Sequence, residues 1–325
     1  MQKSRPLNQG EWHIKITLIH NPAAGDGSRP SGDDLVELLC AAGHKVNYQS
    51  SKEKKWKKAL KKPGDIVAVA GGDGTVGKVA RRLIGSPTPI AILPLGTANN
   101  IANTLDLTGK SLKELIRSWK TARCINFDAG VAKGPWGTES FVEGFGVGLF
   151  AETMTRLDGS KIIDLAGADD PPTVLRTVLK ILRKQLKEHP ATEMTIRLDG
   201  KEMSGDYVLL EAMNVRYVGP NLDLVPRADI NDGLLDVVLV GSGERGKLKP
   251  YFSKSKATRA NLRVRRARHL QIECECSSVH IDDAPWPEKK ERTVVQSTAI
   301  DVKVHPGALV FLAPQEAKRR ARRRT

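Results

Sequence analysis

The sequence predicts a protein of two parts, a doubly wound α/β domain followed by a mostly antiparallel β-sandwich. Up to about residue 124, apolar strand-like runs alternate with helical runs, which is typical of a doubly wound α/β domain. Beyond Cys124 short strand-like runs follow one another with turn residues between them. A chain of 325 residues is long enough for two separate cores. We expect the α/β domain at 12–124, the β-sandwich at 125–314 and a basic, disordered tail at 315–325.

The elements of the first part are predicted from apolar periodicity. Strands are expected at Glu11–His20, His44–Gln49, Asp65–Ala70 and Pro89–Leu93, and helices at Asp33–Ala42, Lys52–Lys62, Val76–Ile84, Ile101–Leu105 and Leu112–Trp119. The strands are short apolar runs, and the helices place their leucines on one face. Gly43 and Gly85 end two of these helices, as glycine commonly does.

The second part is predicted to be rich in strands. They are expected at Ile125–Val131, Glu139–Phe145, Thr192–Leu198, Gly205–Asn214, Leu234–Val240, His269–Cys274, Ser278–Ile281 and Thr298–Val304. One strong helix, Thr173–Lys187, interrupts them and carries leucines on one face and basic residues on the other. Such a helix either covers a core or lies on a bilayer, and the pattern alone leaves both open.

Charge is large and unevenly distributed. The net charge is +15, and Arg245–Arg268 holds ten Lys or Arg residues and no acidic residue. The stretch Lys318–Arg324 is also strongly basic. Such tracts attract nucleic acid or an anionic bilayer, or are simply solvated surface. Because aromatic residues are scarce in both tracts, base stacking and hence nucleic acid are the less favoured partner.

Other features favour a cytoplasmic protein. No apolar run approaches the length of a membrane span, and Met1–Gly10 lacks the apolar core of a signal peptide. None of the four cysteines forms a CxxC pair, so we expect reduced thiols and no zinc site. An exposed edge strand of the second part could pair two chains as a homodimer, but nothing in the sequence demands it.

The central motif is a strand, a glycine loop and a helix in succession. Asp65–Ala70 reads as a buried strand, and Gly71-Gly72-Asp73-Gly74-Thr75 follows it directly. Glycines let the backbone approach an anion, and the free N–H groups at the helix start point toward it. The arrangement therefore predicts a phosphate-binding loop and makes the first part a nucleotide-binding domain.

Three motifs overlap in this loop. Gly72-x-Gly74-x-x-Gly77 matches a dinucleotide fingerprint, but the next strand does not end in the acidic residue that would hold a ribose. A P-loop would need a Ser or Thr hydroxyl where Val79 stands. The third motif places the carboxylate of Asp73 beside phosphate, which is repulsive unless a cation lies between them. The loop therefore favours Mg²⁺-nucleotide chemistry, with a solvated turn aspartate as the alternative.

Two more loops follow predicted strands. Asn21–Ser28 comes after the first strand, and Pro94–Asn100 comes after Pro89–Leu93. Because the carboxyl ends of parallel strands meet at one edge of a sheet, we expect both loops beside the glycine loop. The three loops together indicate a single site.

These loops, in this order, resemble those of the lipid-kinase family that includes diacylglycerol and sphingosine kinases. The matching motifs are Asn21-Pro22-x-x-Gly25, Gly71-Gly72-Asp73-Gly74-Thr75, Leu93-Pro94-Leu95-Gly96-Thr97-Ala98-Asn99, Phe141…Gly144-x-Gly146-x-Gly148 and Asp232-Gly233-Leu234-Leu235-Asp236-Val237. The resemblance spans roughly Ile14 to Pro314, although the glycine loop alone is shared with NAD kinases. It implies phosphorylation of a lipid hydroxyl by ATP, by an enzyme that touches the membrane surface.

The resemblance also implies roles for particular residues. The residues expected to hold nucleotide are Asn21, Ser50, Gly71, Gly72, Asp73, Gly74, Thr75, Val76 and Thr97. Asp73 would organise Mg²⁺ through water, and a second, structural Mg²⁺ would lie at Asp232 with the carbonyls of Asp229 and Leu234. Asp282, in the stretch that matches a late Asp-Gly-Glu motif, would accept the proton of the lipid hydroxyl, with a turn aspartate as the alternative.

Three departures make the site less negative than in the family. Gly77-Lys78 replaces Asn-Glu, Asn100 replaces Asp, and Ala284 replaces the Glu of the late motif. The primary hypothesis is a Mg²⁺-dependent kinase that phosphorylates a diacylglycerol-like or sphingoid lipid. The alternatives are an NAD kinase-like enzyme and a catalytically impaired protein that binds nucleotide or lipid.

Overall fold

The structure is a computed structural model in which six segments of the chain are described. They are residues 14–25, 29–158, 171–253, 262–276, 278–287 and 298–314. The predicted tail at 315–325, residues 254–261 of the basic tract and residues 26–28 of the first loop lie outside them.

Strands and short helices alternate in the first part of the chain. The strands are β1 (Lys15–His20), β2 (Lys45–Ser50), β3 (Ile66–Gly71) and β4 (Ile90–Pro94), and the helices are α1 (Gly32–Ala41), α2 (Trp56–Ala59), α3 (Asp73–Ala80), α4 (Asn100–Thr104) and α5 (Leu112–Ser118). Ser31 and Ser111 begin α1 and α5 with capping boxes, which satisfy backbone N–H groups that a helix start leaves free. Every residue of β3 is buried, as expected for a strand covered on both faces.

The first four strands form a parallel sheet in the order β2-β1-β3-β4. Their carboxyl ends therefore share one edge, and the chain beyond each end is tied to its neighbour. Asn21 N–H donates to the carbonyl of Ala70 at 2.9 Å, and Leu95 N–H donates to that of Gly71 at 3.0 Å. The three loops singled out in the sequence leave the sheet side by side.

The second part is mostly antiparallel. Its strands are β5 (Arg123–Gly134), β6 (Gly137–Phe141), β7 (Gly144–Gly148), β8 (Thr192–Leu198), β9 (Lys201–Glu202), β10 (Gly205–Met213), β11 (Tyr217–Val218), β12 (Leu222–Asp223), β13 (Leu235–Gly241), β14 (Val264–Ala267), β15 (His269–Cys274), β16 (Val279–Ile281), β17 (Ala284–Trp286) and β18 (Thr298–Ala313). The helices are α6 (Leu149–Asp158), α7 (Pro171–Glu188), a 3₁₀ helix at Ser242–Leu248 and α8 (Lys249–Phe252). The predicted fold class, an α/β domain followed by an antiparallel β-rich domain, is confirmed.

Strand β18 belongs to both parts. Phe311 pairs in parallel with Ile90 of β4, while the same strand runs antiparallel to β5 and β15. The Phe311 ring is fully buried, and its centroid lies 4.7 Å from that of Phe127 on β5. The sheet therefore continues from one part into the other, and the division at residues 124 and 125 stays a prediction.

Helix α7 is the amphipathic helix expected at 173–187. Leu182 and Leu186 are buried in a core shared with Leu149 and Phe150 of α6, and the basic residues face outward. Among the described helices, none is long and apolar enough to cross a membrane. Helix α6 lies in a stretch where the sequence analysis expected none.

The basic helix expected at 52–62 is reduced to the single turn α2. Trp56 and Leu60 are its only buried apolar side chains, and the lysines around them are exposed. These two buried side chains hold only one helical turn, because a helix as long as the expected 52–62 segment is unstable in water without more tertiary packing.

Replacing Phe311 with Ala is expected to lower the free energy of unfolding by about 3–5 kcal/mol, because it leaves a cavity where the two parts join. Urea denaturation followed by circular dichroism measures this loss. The control is His305→Ala, an exposed change on the same strand that should stay within about 0.5 kcal/mol of the unchanged protein. Equal effects of the two substitutions would contradict the role given to Phe311.

Candidate active site

The glycine loop and the third loop touch through their backbones. Gly72 precedes α3 in an extended conformation, and a Cβ built on it would lie 2.9 Å from the Cα of Gly96. A Cβ on Gly96 would lie 2.3 Å from the Cα of Gly72. Real Cβ atoms do not approach so closely, so glycine is required on both sides of this contact.

Asp73 binds the third loop with both carboxylate oxygens. Oδ2 accepts the N–H of Asn100 at 2.9 Å, and Oδ1 accepts the N–H of Ile101 at 3.1 Å. The side chain thus caps α4 from outside its own helix. The pKa of Asp73 is raised to about 6: burial is the largest cause, the N–H groups of Asn100 and Ile101 oppose it, and the nearby charge of Asp283 adds to the rise. The two N–H groups fix the orientation of the carboxylate and leave each oxygen a further lone pair.

The turn between β16 and β17 packs against α3. A Cβ on Gly74 would lie 2.2 Å from Oδ2 of Asp283, and one on Gly77 would lie 3.4 Å from Oδ2 of Asp282. The first two glycines of the Gly72-x-Gly74-x-x-Gly77 pattern therefore serve close contacts with protein, Gly72 with the third loop and Gly74 with this turn, whereas Gly77 meets the turn at an ordinary van der Waals distance.

Asp282 is buried and holds three segments together. Its Oδ1 accepts the backbone N–H groups of Val142, Glu143 and Gly144 at 2.9, 2.7 and 3.3 Å. Its Oδ2 forms an ion pair with Arg81, the residue that follows α3. Burial raises the pKa of Asp282, and Arg81 and the N–H groups oppose that rise. The sequence analysis expected a proton acceptor here, and the structure places a carboxylate whose two oxygens are already occupied.

Glu143 is a buried carboxyl group that the sequence analysis did not single out. Burial raises its pKa well above the usual value, and the charges of Asp73 and Asp282 raise it further. Asn100 Nδ2 donates to Glu143 Oε2 at 3.1 Å. An aspartate at position 100 would place another carboxylate beside Glu143, whereas the Asn100 amide donates a hydrogen bond to it. This contact accounts for asparagine in place of the family's aspartate. The only signal in the sequence was one acidic residue between Val142 and Gly144.

A cavity of about 650 Å³ opens beside these carboxyl groups. Its lining residues are Asn21, Ser51, Lys52, Trp56, Lys57, Thr75, Lys78, Arg81, Arg82, Thr138, Glu139 and Ser140. Five of them are Lys or Arg, and Arg82 also stacks over the Trp56 ring with 5.0 Å between guanidinium carbon and ring centroid. A concave surface with this charge favours a polyanion such as a polyphosphate. The lysines of the short α2 region and the arginines of α3 were not predicted as site residues.

The predicted nucleotide-binding residues lie at or near this cavity. Asn21 Nδ2 donates to Thr75 Oγ1 at 3.2 Å, and both side chains line the cavity. Ser50 does not line it, because its hydroxyl accepts the N–H of Lys52 and the neighbouring Ser51 faces the space instead. Gly71, Gly72, Gly74, Val76 and Thr97 belong to the adjoining loops and helix start. Their roles toward nucleotide stay predictions.

The predicted structural metal site contains an arginine. Asp232 Oδ1 accepts the N–H of Leu234 at 3.0 Å, and Asp232 Oδ2 lies 3.6 Å from Arg266. Arg266 also pairs with Asp236 at 3.2 Å. Carboxylate and carbonyl oxygens are donors that Mg²⁺ accepts, but a guanidinium already supplies positive charge at this turn. Within the described segments no group of three or more His, Cys, Asp or Glu side chains is arranged to hold a metal ion.

A buried histidine and a buried glutamate lie on the interior side of the β16–β17 turn. His280 Nε2 lies 2.9 Å from Glu211 Oε2, and His280 Nδ1 lies 2.9 Å from the carbonyl oxygen of Asp282. Because a carbonyl oxygen only accepts, Nδ1 carries a proton. Burial alone would lower the pKa of His280, but Glu211 outweighs it and the net shift is upward. Burial also raises the pKa of Glu211.

Two family profiles match the chain. The diacylglycerol kinase catalytic domain matches residues 15–132, and the YegS C-terminal NAD kinase β-sandwich-like domain matches residues 171–313. A protein named "Diacylglycerol kinase" from Mycobacterium tuberculosis is 27% identical over 93% of this chain and 96% of its own length. One named "Probable lipid kinase YegS-like" from Pectobacterium atrosepticum is 26% identical over 90% and 96%. The chain belongs to the diacylglycerol kinase family and is an enzyme of the lipid-kinase class.

Solved structures share the fold. A diacylglycerol kinase from Bacillus anthracis has a TM-score of 0.64 at 20% identity, covering 94% of this chain and 98% of that one. An NAD kinase from Archaeoglobus fulgidus in complex with ATP has a TM-score of 0.51 at 12% identity, covering 94% and 96%. The two-part architecture is thus common to lipid kinases and NAD kinases.

The His280–Glu211 pair is expected to make the protein less stable as pH rises. Both pKa values are raised, so the folded protein keeps a proton that the unfolded chain releases from histidine near its ordinary value of 6.5. The contribution of His280 is therefore complete below about pH 6.5 and that of Glu211 below its ordinary value near 4.5, and each is lost as pH rises through the folded pKa of that group. Glu211→Gln offers neutral His280 an N–H donor and should reduce the decline by about 1 kcal/mol.

Urea denaturation at several pH values between 6 and 9 measures this decline in the free energy of unfolding. His305→Gln, which removes an exposed histidine, is the matched control and should leave the slope unchanged. The same slope in Glu211→Gln and in the unchanged protein would rule out the proposed linkage.

Proposed function

We propose that this enzyme transfers the γ-phosphate of ATP, with Mg²⁺, to the hydroxyl of a diacylglycerol-like or sphingoid lipid. The observation that carries the proposal is that a cationic cavity and a carboxylate-bearing turn both lie against α3, whose start holds Asp73 and whose end leads into Arg81 and Arg82. Lys78, Arg81 and Arg82 face the cavity, while Asp73 and Asp283 lie by the glycine loop. Phosphoryl transfer depends mainly on positioning and charge neutralisation, which such an arrangement can provide.

The cationic residues of the site bind phosphate, and its carboxylates bind Mg²⁺ and accept the proton. The cavity cations and the N–H groups of the glycine loop hold the phosphates, and Asn21 and Thr75 line the same space. Bound Mg²⁺ would neutralise phosphate charge, with Asp73 holding it through water. A second Mg²⁺ at Asp232 and the carbonyls of Asp229 and Leu234 would have a structural role. A carboxylate of the β16–β17 turn takes the proton of the acceptor hydroxyl.

Peripheral contact with an anionic, cytoplasmic membrane surface would bring the lipid to the site. Helix α7 exposes Arg176, Lys180, Lys184 and Lys187. Arg245 Nη1 donates to the carbonyl of Leu186 at 2.8 Å, which fixes the basic 3₁₀ region against the end of the same helix. Each basic side chain near an anionic leaflet contributes about 1 kcal/mol.

NAD is the competing acceptor. The TM-score of 0.51 with an NAD kinase and the shared glycine loop favour keeping it in the test. Asn100, Lys78 and Ala284 also leave open a protein that binds nucleotide without transferring phosphate.

The central assay uses γ-³²P-labelled ATP, Mg²⁺ and vesicles that carry diacylglycerol, ceramide or sphingosine, with NAD in a parallel reaction. We expect one labelled lipid, and faster labelling on vesicles with anionic lipid than on neutral ones. Asp73→Asn should lower the rate at least about 100-fold, because charge stabilisation in the transition state is lost. Labelled NADP without labelled lipid would replace the proposal, and ATP binding with no transfer would support the binding protein.

Lys78 is expected to add binding energy for ATP. Its side chain is exposed and lines the cavity, so Lys78→Met should raise the KM for ATP about fivefold, with little change in kcat. The difference should shrink as salt rises, because salt screens exposed charges. Lys113→Met, an equally exposed change on α5, is the control. An unchanged KM in Lys78→Met would exclude a phosphate contact.

A further inference from the structure

We propose that Asp283, and not its neighbour Asp282, accepts the proton of the acceptor hydroxyl, while Asp282 positions it. This inference rests on the proposed function for the identity of the acceptor. It concerns a residue that none of the sequence motifs singled out.

Asp282 is poorly placed to take a proton. Both oxygens are occupied, one by three backbone N–H groups and the other by Arg81. Its side chain is 2% exposed, so a lipid hydroxyl cannot reach it without displacing one of these partners. Protonation would also leave the guanidinium of Arg81 without its counter-charge at a partly buried place.

Asp283 has the opposite properties. Its side chain is exposed, and no hydrogen bond or ion pair joins it to another of the residues that the structure describes. Its carboxylate lies over Gly74: a Cβ there would be 2.2 Å from Oδ2 and 3.8 Å from Oδ1. Gly74 is in the first turn of α3, next to Asp73 and at the end of the helix where the N–H groups are free. A carboxylate at this point can reach both an acceptor hydroxyl and the phosphate held by the loop.

The turn that carries Asp283 is fixed on several sides. Asp282 adopts φ +54°, a left-handed conformation that aspartate tolerates, and its N–H donates to the carbonyl of Gly144 at 2.8 Å. His280 holds the carbonyl of Asp282 from the interior, and Arg81 holds its carboxylate from α3. Gly77 leaves room for that ion pair, with a Cβ there only 3.3 Å from Arg81. Asp283 therefore projects from a turn that cannot easily reorient.

The residue that follows Asp283 in the chain supports its role as proton acceptor. Ala284 stands where the family resemblance implies a glutamate, and it pairs with Ile281 across the turn. Asp282 therefore lacks the neighbouring carboxylate that the family pattern would place there. Among the described residues, Asp283 is then the exposed carboxylate of this turn, one position earlier in the chain.

The step balances without a further reactant. The hydroxyl oxygen of the acceptor forms a bond to the γ-phosphorus, and the bond from that phosphorus to the β,γ-bridging oxygen breaks, so ADP leaves. The hydroxyl proton passes to Asp283, which later releases it to water.

The test compares Asp283→Asn, Asp283→Glu and Asp282→Asn with the unchanged enzyme, and Asp206→Asn, an exposed carboxylate on β10, is the matched control. We expect Asp283→Asn to lower kcat about 100- to 10,000-fold with a nearly unchanged KM for ATP. Asp283→Glu, which keeps a carboxylate at this position, should retain part of the rate. The melting temperature of Asp283→Asn should match that of the control, while that of Asp282→Asn should fall.

The outcomes separate this inference from the function on which it rests. If the unchanged enzyme labels NAD and no lipid, the proposed function fails, and the loss of NAD labelling in Asp283→Asn still supports the inference. If Asp283→Asn keeps more than half of the rate with any acceptor, the inference is overturned. Absence of transfer to every acceptor by the unchanged enzyme overturns it as well.

Discussion

The ion pair between Arg81 and Asp282 is the interaction on which the site depends. Arg81 follows α3 in the α/β domain, and Asp282 lies in a turn of the antiparallel part, so one buried carboxylate joins the two. Burying such a pair is not strongly stabilising by itself, but removing one partner leaves an uncompensated charge and commonly costs about 3–5 kcal/mol. The pair therefore fixes geometry more than it adds net stability.

The site is divided into two regions of opposite charge. The cavity is lined by cations of the α2 region and of the end of α3, and the carboxyl groups of Asp73, Glu143, Asp282 and Asp283 lie close to one another beside it, with Arg81 in contact with both regions. The raised pKa of Glu143 follows from burial next to the other carboxylates, and a protonated Glu143 relieves part of their repulsion. A donor nucleotide and an acceptor hydroxyl would thus approach the same helix start from sides with different chemistry.

Sequence reasoning reached the fold and the glycine loop because both depend on local patterns. Strand periodicity and the glycines at 72, 74 and 77 are readable in a short window. The partners of these glycines were not readable, since Gly74 meets Asp283 and Gly72 meets Gly96 only after folding. The dinucleotide spacing in the sequence is thus explained here by contacts with protein.

The parts of the site that sequence reasoning missed depend on contacts between distant segments. Asp282 was predicted from a motif, and its role as proton acceptor stays a prediction, but its N–H donors lie about 140 residues earlier in the chain and were not foreseen. Glu143 and the cavity cations looked like ordinary surface charges, because burial and concavity are properties of the folded chain. Ser50 and Ser51 differ by one position at a strand end, and alternation decides which of them faces the cavity.

Strand β18 has a consequence for how the protein is made. The parallel sheet of the first part of the chain receives its neighbour beside β4 from residues near Phe311, more than two hundred residues later in the chain. During synthesis on the ribosome the first domain cannot close its sheet until that late segment has emerged. Contacts of such long sequence separation slow folding, and the open edge of β4 is exposed to non-native pairing meanwhile. The first domain is therefore a poor candidate for independent expression, although its sequence alone looks self-contained.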